Sequence, residues 1–374
     1  MTLSRRHFLA LTTTSLVAGL AACGDSDSGA DGDPATSVPA PPDRAIAFGF
    51  EDVVNTDTDW AENRARLDRI GATAVSLSVG RPDWMAMPWS EHAGWEASVV
   101  ERTGRDFLAE ALTELSGLET TLVVDTLAPR AIERDASVAG EASDGEASED
   151  FPSVSALDGG AYGEQLTAVC IEAARRYRPA RIALTELMFD DATFGDADLA
   201  HFREHTGNDE FPTTTGGDID LGHPDIARWR SGALSRLLGR IAEGLVEHDV
   251  LLDIDVRAPW SDPSDDRAES GHDYDVLLES ADRLVVWNYF GLQDDIDPAY
   301  GGEVADSLKE RFGDRFVMST GLWASGDKVV SPDDMVASLR AVAGVGAPAV
   351  SVTPASLMTR RHWNALEDLV AEWD

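Results

Sequence analysis

The sequence predicts a single closed (β/α)8 barrel with long loops after its second, third and fourth strands, and three observations carry that reading. From Arg44 onward, β-type apolar runs alternate with helical patterns. Eight such strand–helix pairs follow one another, the number that closes a barrel. The turn after the first strand, Glu51-Asp52-Val53-Val54, holds no glycine, whereas an open doubly wound sheet usually carries a Gly-rich phosphate turn there.

In chain order, the strands are expected at 45–51 (AIAFGFE), 74–80 (AVSLSVG), 119–127 (ETTLVVDTL) and 181–190 (RIALTELMFD). Four more are expected at 250–258 (VLLDIDVRA), 283–290 (RLVVWNYF), 315–322 (RFVMSTGL) and 349–354 (AVSVTP). Helical stretches fall near 59–70, 97–116, 160–177, 195–206 with 224–248, 273–281, 302–312, 332–344 and 360–373. Two insertions follow strand C-terminal ends, the face on which barrel active sites sit. Residues 130–159 are rich in Ala, Ser, Asp, Glu and Gly and read as a mobile acidic loop. Residues 207–223 interrupt the helical material after the fourth strand.

Charge narrows the function classes. The chain of 374 residues has 68 Asp+Glu against 30 Lys+Arg, a formal net charge of -38. A surface that must neutralise phosphates cannot carry that balance, so nucleic acid is excluded as a partner. Only Lys309 and Lys328 are lysine. Abundant carboxylates with few lysines suit a high-salt environment, where carboxylates hold water and cations while salt screens their repulsion.

The N-terminus reads as an export signal. Ser4-Arg5-Arg6-His7-Phe8-Leu9 precedes a short, mildly apolar run to Ala22, too short to span a bilayer securely. The paired arginines resemble the twin-arginine type of signal, and Leu20-Ala21-Ala22-Cys23 resembles a lipobox, in which Cys23 takes the lipid. The expected organisation is a signal peptide at 1–22, a disordered acidic tether at 23–43 and the barrel at 44–374. This implies a monomer lipid-anchored on the extracellular face of the membrane, and the composition points to a halophilic archaeon. With Cys23 lipidated, Cys170 has no partner, so neither a disulfide nor a Cys-based metal site is expected.

Titratable groups at strand ends are the candidates for chemistry. The fourth strand supplies Glu186, Asp190 and Asp191, and its alternation puts Ile182, Leu184, Glu186, Met188 and Asp190 on one face. The fifth supplies Asp253, Asp255 and Arg257 on one face, with Leu252, Ile254 and Val256 on the other. The apolar face belongs against the helices, so the charged face points into the barrel. Carboxylates around one arginine have split pKa values, as acid–base catalysis requires. Glu186 and Asp190 lie roughly 13 Å apart along a regular strand, beyond the roughly 5–9.5 Å of glycosidase carboxyl pairs. Asp190 or Asp191 is therefore read as general acid, paired with a carboxylate from another strand such as Asp125, with Glu186 deeper. Sugar-stacking surface is expected from Trp84, Trp89 and Trp95, and from Trp260, Trp287, Tyr289 and Trp323 at later strand ends. Trp287 also suits core packing.

Phe189-Asp190-Asp191-Ala192-Thr193-Phe194 with Asp196-Ala197-Asp198 resembles the fourth-strand motif of glycoside-hydrolase-like barrels, nearest to the hydrolase domain accompanying poly-N-acetylglucosamine deacetylases. Val256-Arg257-Ala258-Pro259-Trp260 stands where such barrels carry an arginine, and Asp282–Phe290, including Asn288, resembles their sixth strand. The likeness covers roughly residues 181–291 and departs at Ala258, where an Asn is the family's expected residue. It implies a (β/α)8 glycosidase of carboxylate type whose partner is a polysaccharide or oligosaccharide. Asp255, Arg257 and Asn288 are expected among the substrate-binding residues.

No cofactor or metal is expected. His201 and His205 are four apart on a helix, but no third ligand is evident and an exposed polar face explains them. No EF-hand-like spacing, Ser-His-Asp order or Gly-x-Ser-x-Gly turn is present. The competing readings are a catalytically silent glycan-binding barrel and a two-lobed solute-binding lipoprotein feeding a transporter. The lipid assignment predicts that Cys23→Ser releases the protein into the medium or leaves an unprocessed precursor; unchanged lipid labelling of that variant would refute it.

Overall fold

The computed structural model describes residues 39–92, 94–189, 191–326 and 328–373. The signal segment, Cys23, most of the tether and Asp190 lie outside the described residues. Eight parallel strands form the core: β1 (Asp43–Phe48), β2 (Ala74–Arg81), β3 (Glu119–Asp125), β4 (Arg181–Thr185), β5 (Leu251–Arg257), β6 (Arg283–Asn288), β7 (Phe316–Gly321) and β8 (Ala349–Thr353). Each pairs with its sequence neighbour, and β1 pairs with both β2 (Ala45 opposite Ala74) and β8 (Ala45 opposite Ser351), which closes the barrel. The strands make one closed body rather than the two lobes of a solute-binding protein.

The helices that complete the eight units are α1 (Trp60–Arg69), α2 (Phe107–Glu114), α3 (Ala161–Tyr177), α4 (Pro224–Leu245), α5 (Tyr274–Leu277), α6 (Tyr300–Phe312), α7 (Pro332–Gly344) and α8 (Arg360–Trp373). Their starts follow local chemistry. Side chains of Asp59, Asp106, Asp273 and Ser331 accept hydrogen bonds from the first-turn amides of α1, α2, α5 and α7. Pro224 and Pro332 occupy early helical positions where no amide donor is needed. Cys170 is buried on α3. Among the described residues no helix is long and apolar enough to cross a membrane.

The two faces of the strands differ in kind. Val75, Leu77, Leu122, Ile182, Leu184, Leu252, Ile254, Leu284 and Val286 point outward and are buried beneath the helices. The inward positions carry mostly small side chains, among them Ala45, Ala74, Ser76, Ala183, Ser319 and Ser351. At the N-terminal ends of the strands the interior is closed by ions. Asp253, with no exposed surface, accepts from Arg181 Nη1 at 2.8 Å and from Arg283 Nη2 at 2.9 Å. Arg283 also reaches Asp43 at 3.3 Å, and Arg181 lies 3.4 Å from Glu119. The charged face of the fifth strand thus points inward, but Asp253 forms a floor.

Three local expectations are corrected. The fourth strand ends at Thr185 rather than at residue 190. The stretch 97–116 is two helices, Ser98–Thr103 and α2, separated at Gly104, whose φ of 64° breaks the first. The acidic insertion is folded rather than a mobile loop: a helix (Pro129–Arg134), a hairpin (Ala139–Glu141 with Ala147–Pro152) and a helical turn (Val154–Leu157). Backbone bonds fix the hairpin, with Ala128 N donating to Asp150 O at 2.7 Å and Phe194 N to Glu141 O at 2.8 Å. Asp158 then straps the segment to α4, accepting from Arg236 at 2.7 Å and Arg240 at 2.9 Å. Composition alone missed this because the apolar partners of the insertion lie elsewhere in the chain.

Removing one partner from the floor leaves buried charge uncompensated, which costs about 3–5 kcal/mol. Asp253→Ala is therefore expected to lower the stability measured by urea unfolding by that order, far more than Asp43→Ala at the half-exposed edge. Equal losses for the two variants would show that the floor does not depend on Asp253.

Candidate active site

A cavity of about 840 Å³ runs from the ionic floor to the C-terminal mouth of the barrel. Around its upper part stand Glu51, Asp125, Asp150, Glu186, Asp255, Arg257, Tyr289 and Trp323. Its volume lies within the roughly 300–1,000 Å³ of small-molecule sites.

Asp125 ends β3 opposite Thr185 of β4, and Leu184 is opposite Ile254 of β5. Asp125, Thr185 and Asp255 therefore sit at one level on three adjacent strands. Two inter-strand steps separate the two residues by about 9.6 Å at the backbone, near the upper end of the roughly 5–9.5 Å spacing of glycosidase carboxyl pairs. Burial dominates both ionisations. It raises the Asp125 pKa to about 6, against the Leu127 amide and Arg81, with Asp83 and Asp150 pushing the same way as burial. It raises Asp255 to about 7, against hydrogen bonds from Trp287 and Thr185; Trp287 Nε1 donates to Asp255 Oδ2 at 3.0 Å. Near neutral pH one carboxyl of the pair retains a proton more readily than the other.

Glu186 reaches the same space by a different route. Strand alternation would send it outward with Ile182 and Leu184, yet both Thr185 and Glu186 line the cavity. Its φ of 59° is the left-handed region, rare for a non-glycine residue, and that turn returns the side chain to the interior. Such a conformation costs about 1–3 kcal/mol and persists only where the surroundings enforce it. The enforcing contacts follow at once. His272 Nδ1 accepts from Arg257 N at 3.1 Å, so its Nε2 carries the proton and donates to Leu187 O at 2.9 Å. Phe189 N donates to Ser270 O at 2.9 Å. Arg230, 1% exposed, donates to Thr193 Oγ1 at 2.6 and 3.1 Å.

The aromatic wall belongs to β6 and β7. Tyr289 stacks on Trp287 with ring centroids 5.3 Å apart and planes 8° from parallel, and lies 5.2 Å from Trp323. A Cβ at Gly321 would stand 2.3 Å from the Tyr289 ring, so a glycine is needed there. Burial, with Asp255 and Glu186 nearby, holds the Tyr289 phenol neutral.

Of the sequence-derived candidates, the structure brings together Asp125, Glu186, Asp255, Arg257, Tyr289 and Trp323 around one cavity. The others lie elsewhere. Asp191 accepts from Ser143 N and Oγ, both at 3.2 Å, at the hairpin tip. Trp84 packs on Phe50 at 4.5 Å under the Arg81 guanidinium. Trp89 is 6% exposed against Trp95 and His92. Trp260 stacks on Tyr300 at 5.9 Å. Asn288 is 1% exposed and donates to Ser338 on α7 at 2.8 Å, facing the helices. Trp84, Trp89, Trp260 and Asn288 do not line this cavity; their rings and amide pack against the neighbours just named. Sequence reading missed Glu51, Thr185 and Asp150. The acidic insertion signalled Asp150 only as part of a charged run.

Of the paired histidines, His205 is exposed and His201 is half-buried. His201 accepts at Nδ1 from Trp229 Nε1 at 2.9 Å and meets Asp158 through Nε2 at 3.2 Å. Asp158, His201 and His205 approach as metal ligands would. The indole fixes the proton of His201 on Nε2, and two arginines already hold Asp158, so this set does not fit a cation.

No protein-family model and no curated protein sequence matches the chain. Solved structures do. The PgaB (BpsB) glycoside hydrolase domain from Bordetella bronchiseptica aligns with a TM-score of 0.66 at 12% identity, over 88% of this chain and 99% of that one. The catalytic domain of the beta-amylase from Paenibacillus polymyxa gives 0.60 at 12% identity, over 90% of this chain and 100% of that one. Alpha-L-fucosidase isoenzyme 2 from Paenibacillus thiaminolyticus gives 0.62 at 12% identity, over 89% of this chain and 49% of that one. At such identities the likeness establishes the fold, that of glycoside hydrolase (β/α)8 barrels.

The Asp255 ionisation has a stability consequence with a definite sign. Its pKa of about 7 in the fold exceeds the roughly 3.9 of an unfolded aspartate. The contribution of the protonated carboxyl is therefore complete below that lower value and is lost as pH rises through the higher one. Asp255→Asn is expected to raise the Tm at pH 8, and the gain is expected to shrink as pH falls towards 4. A Tm difference independent of pH would contradict the assignment.

Proposed function

We propose that the chain is a glycoside hydrolase that processes an extracellular or envelope polysaccharide, with Asp255 as general acid and Asp125 as its carboxylate partner. The observation that carries this reading is the pair itself: two carboxyls on β3 and β5, level across Thr185, both raised by burial inside a cavity with an aromatic wall. Protonated Asp255 delivers its proton to the leaving glycosidic oxygen, and the Trp287 N–H then stabilises the carboxylate left behind. Ionised Asp125 assists attack from the opposite side, either on the sugar directly or through water. Glu186, strained into the site, faces the positive charge that develops at the anomeric carbon. Tyr289 and Trp323 offer their faces to the sugar ring. Attachment to the outer membrane face through a lipid on Cys23 belongs to the same proposal and is supported by the sequence pattern.

General acid–base assistance contributes about 10²–10⁴-fold to turnover. In molar salt, with oligosaccharide products followed by mass spectrometry, Asp255→Asn and Asp125→Asn are each expected to lose about that factor in kcat while glycan binding persists. Asp191→Asn, at the hairpin tip, is expected to turn over at the wild-type rate. Full activity in Asp255→Asn would overturn the assignment, and glycan binding without any product in the wild type would make the chain a binding barrel.

A further inference from the structure

Carboxylates outnumber basic side chains in this chain by 68 to 30, but a recess on the outer surface reverses that balance. It is a cavity of about 480 Å³ between the N-terminal half of α4 and the end of the helix Asp196–Thr206. Two guanidiniums, Arg228 and Arg236, line it against a single carboxylate, Asp225. Both oxygens of that carboxylate are already engaged. Oδ1 accepts from Arg228 Nη1 at 2.7 Å and Oδ2 from Asn208 Nδ2 at 3.2 Å. Arg236 is steadied by Asp158, which accepts from its Nε at 2.7 Å and also takes Arg240 at 2.9 Å.

The spacing along α4 makes the recess. Arg228, Gly232 and Arg236 follow one another at intervals of four and so share one helix face. The outer two are about 12 Å apart along the axis, and the residue between them has no side chain. A Cβ at Gly232 would stand 3.3 Å from Arg236 Nη1, so this guanidinium lies over the gap. Trp229 and the facing segment that carries His205, Thr206 and Asn208 complete the walls.

The donors select the ligand. Arg228 and Arg236 approach from α4, while the Asn208 amide and the His205 ring approach from the opposite segment. A planar carboxylate is satisfied by one coplanar fork, whereas donors spread around a volume suit an anion whose oxygens point in several directions. A cation would be repelled, and a neutral ligand would leave the guanidiniums without a charged acceptor.

We propose that this recess binds a tetrahedral oxyanion, the phosphate or sulfate group of a small ligand, between Arg228 and Arg236. The site is separate from the barrel cavity, whose carboxylate-lined mouth would repel the same group, and it does not depend on the hydrolase reading.

The test titrates inorganic sulfate and inorganic phosphate into the full-length protein in molar KCl, where chloride competes throughout, and follows the His205 ring by NMR. Without the anion the His205 pKa is lowered by burial, then by Arg236 and His201, against Asp158 and Glu204. A bound anion offsets those cations, so it is expected to raise the His205 pKa and, by linkage, to bind more tightly in acid than in alkali. Arg228→Gln, at an exposed position, is expected to weaken binding about tenfold. Gly232→Glu puts a carboxylate into the gap and removes a glycine from a helix interior, so it is expected to abolish binding without lowering the Tm. Acetate is expected not to compete. The phosphate and sulfate monoesters of glucose distinguish the two sources, the tighter ester naming the group that the ligand carries. A His205 pKa unmoved by either ion, equal affinity in wild type and Gly232→Glu, or acetate competing as well as sulfate would overturn the proposal.

Discussion

Closing eight parallel strands on themselves sends every second side chain into a space enclosed on all sides, and that geometric fact governs the rest of this structure. Any charge placed there must find its partner within the ring. At the base the requirement is met by Asp253 between Arg181 and Arg283. Higher up burial outweighs pairing: among the described residues no ion pair is made directly to Asp125 or Asp255, and their protonation equilibria move into the range where acid–base chemistry operates. The same enclosure that would make an unpaired carboxylate costly makes it chemically useful.

Positioning the third carboxylate depends on a departure from strand regularity. An inward residue at every second position cannot place both Thr185 and Glu186 in the cavity. The left-handed turn at Glu186 does so, and the loop behind it is pinned by His272, Ser270 and the buried guanidinium of Arg230. Strain at the site is thus held by ordinary packing and hydrogen bonds one layer away. Asp150 arrives in the same indirect manner, on a hairpin whose backbone is bonded to Ala128 and whose flank is strapped to α4 through Asp158.

The architecture was legible in the sequence because it rests on local periodicity: the eight strands and their helices follow from apolar runs and caps that can be read residue by residue. The inward face of β5 was legible for the same reason, since Leu252, Ile254 and Val256 leave no other orientation for Asp255 and Arg257. The face of Glu186 was not, because alternation is a rule about regular strands and β4 stops at Thr185. The packing of the tryptophans was not legible for a related reason. Trp84 and Trp89 sit in a polar loop, but that segment folds back on itself, with Arg81 over Trp84 and His92 and Trp95 against Trp89, while Phe50 reaches Trp84 from beyond the end of β1.

What the sequence determined by itself was the barrel class, the acidic character and the strand ends at which chemistry had to be sought. All of these depend on composition or on neighbours within a few residues. What only the tertiary structure decided was which carboxylates share a cavity, which of them are buried enough to hold a proton near neutrality, and that the barrel is hollow. Those properties depend on register between strands distant in the chain and on the size of side chains facing one another across the ring, and no local pattern encodes either.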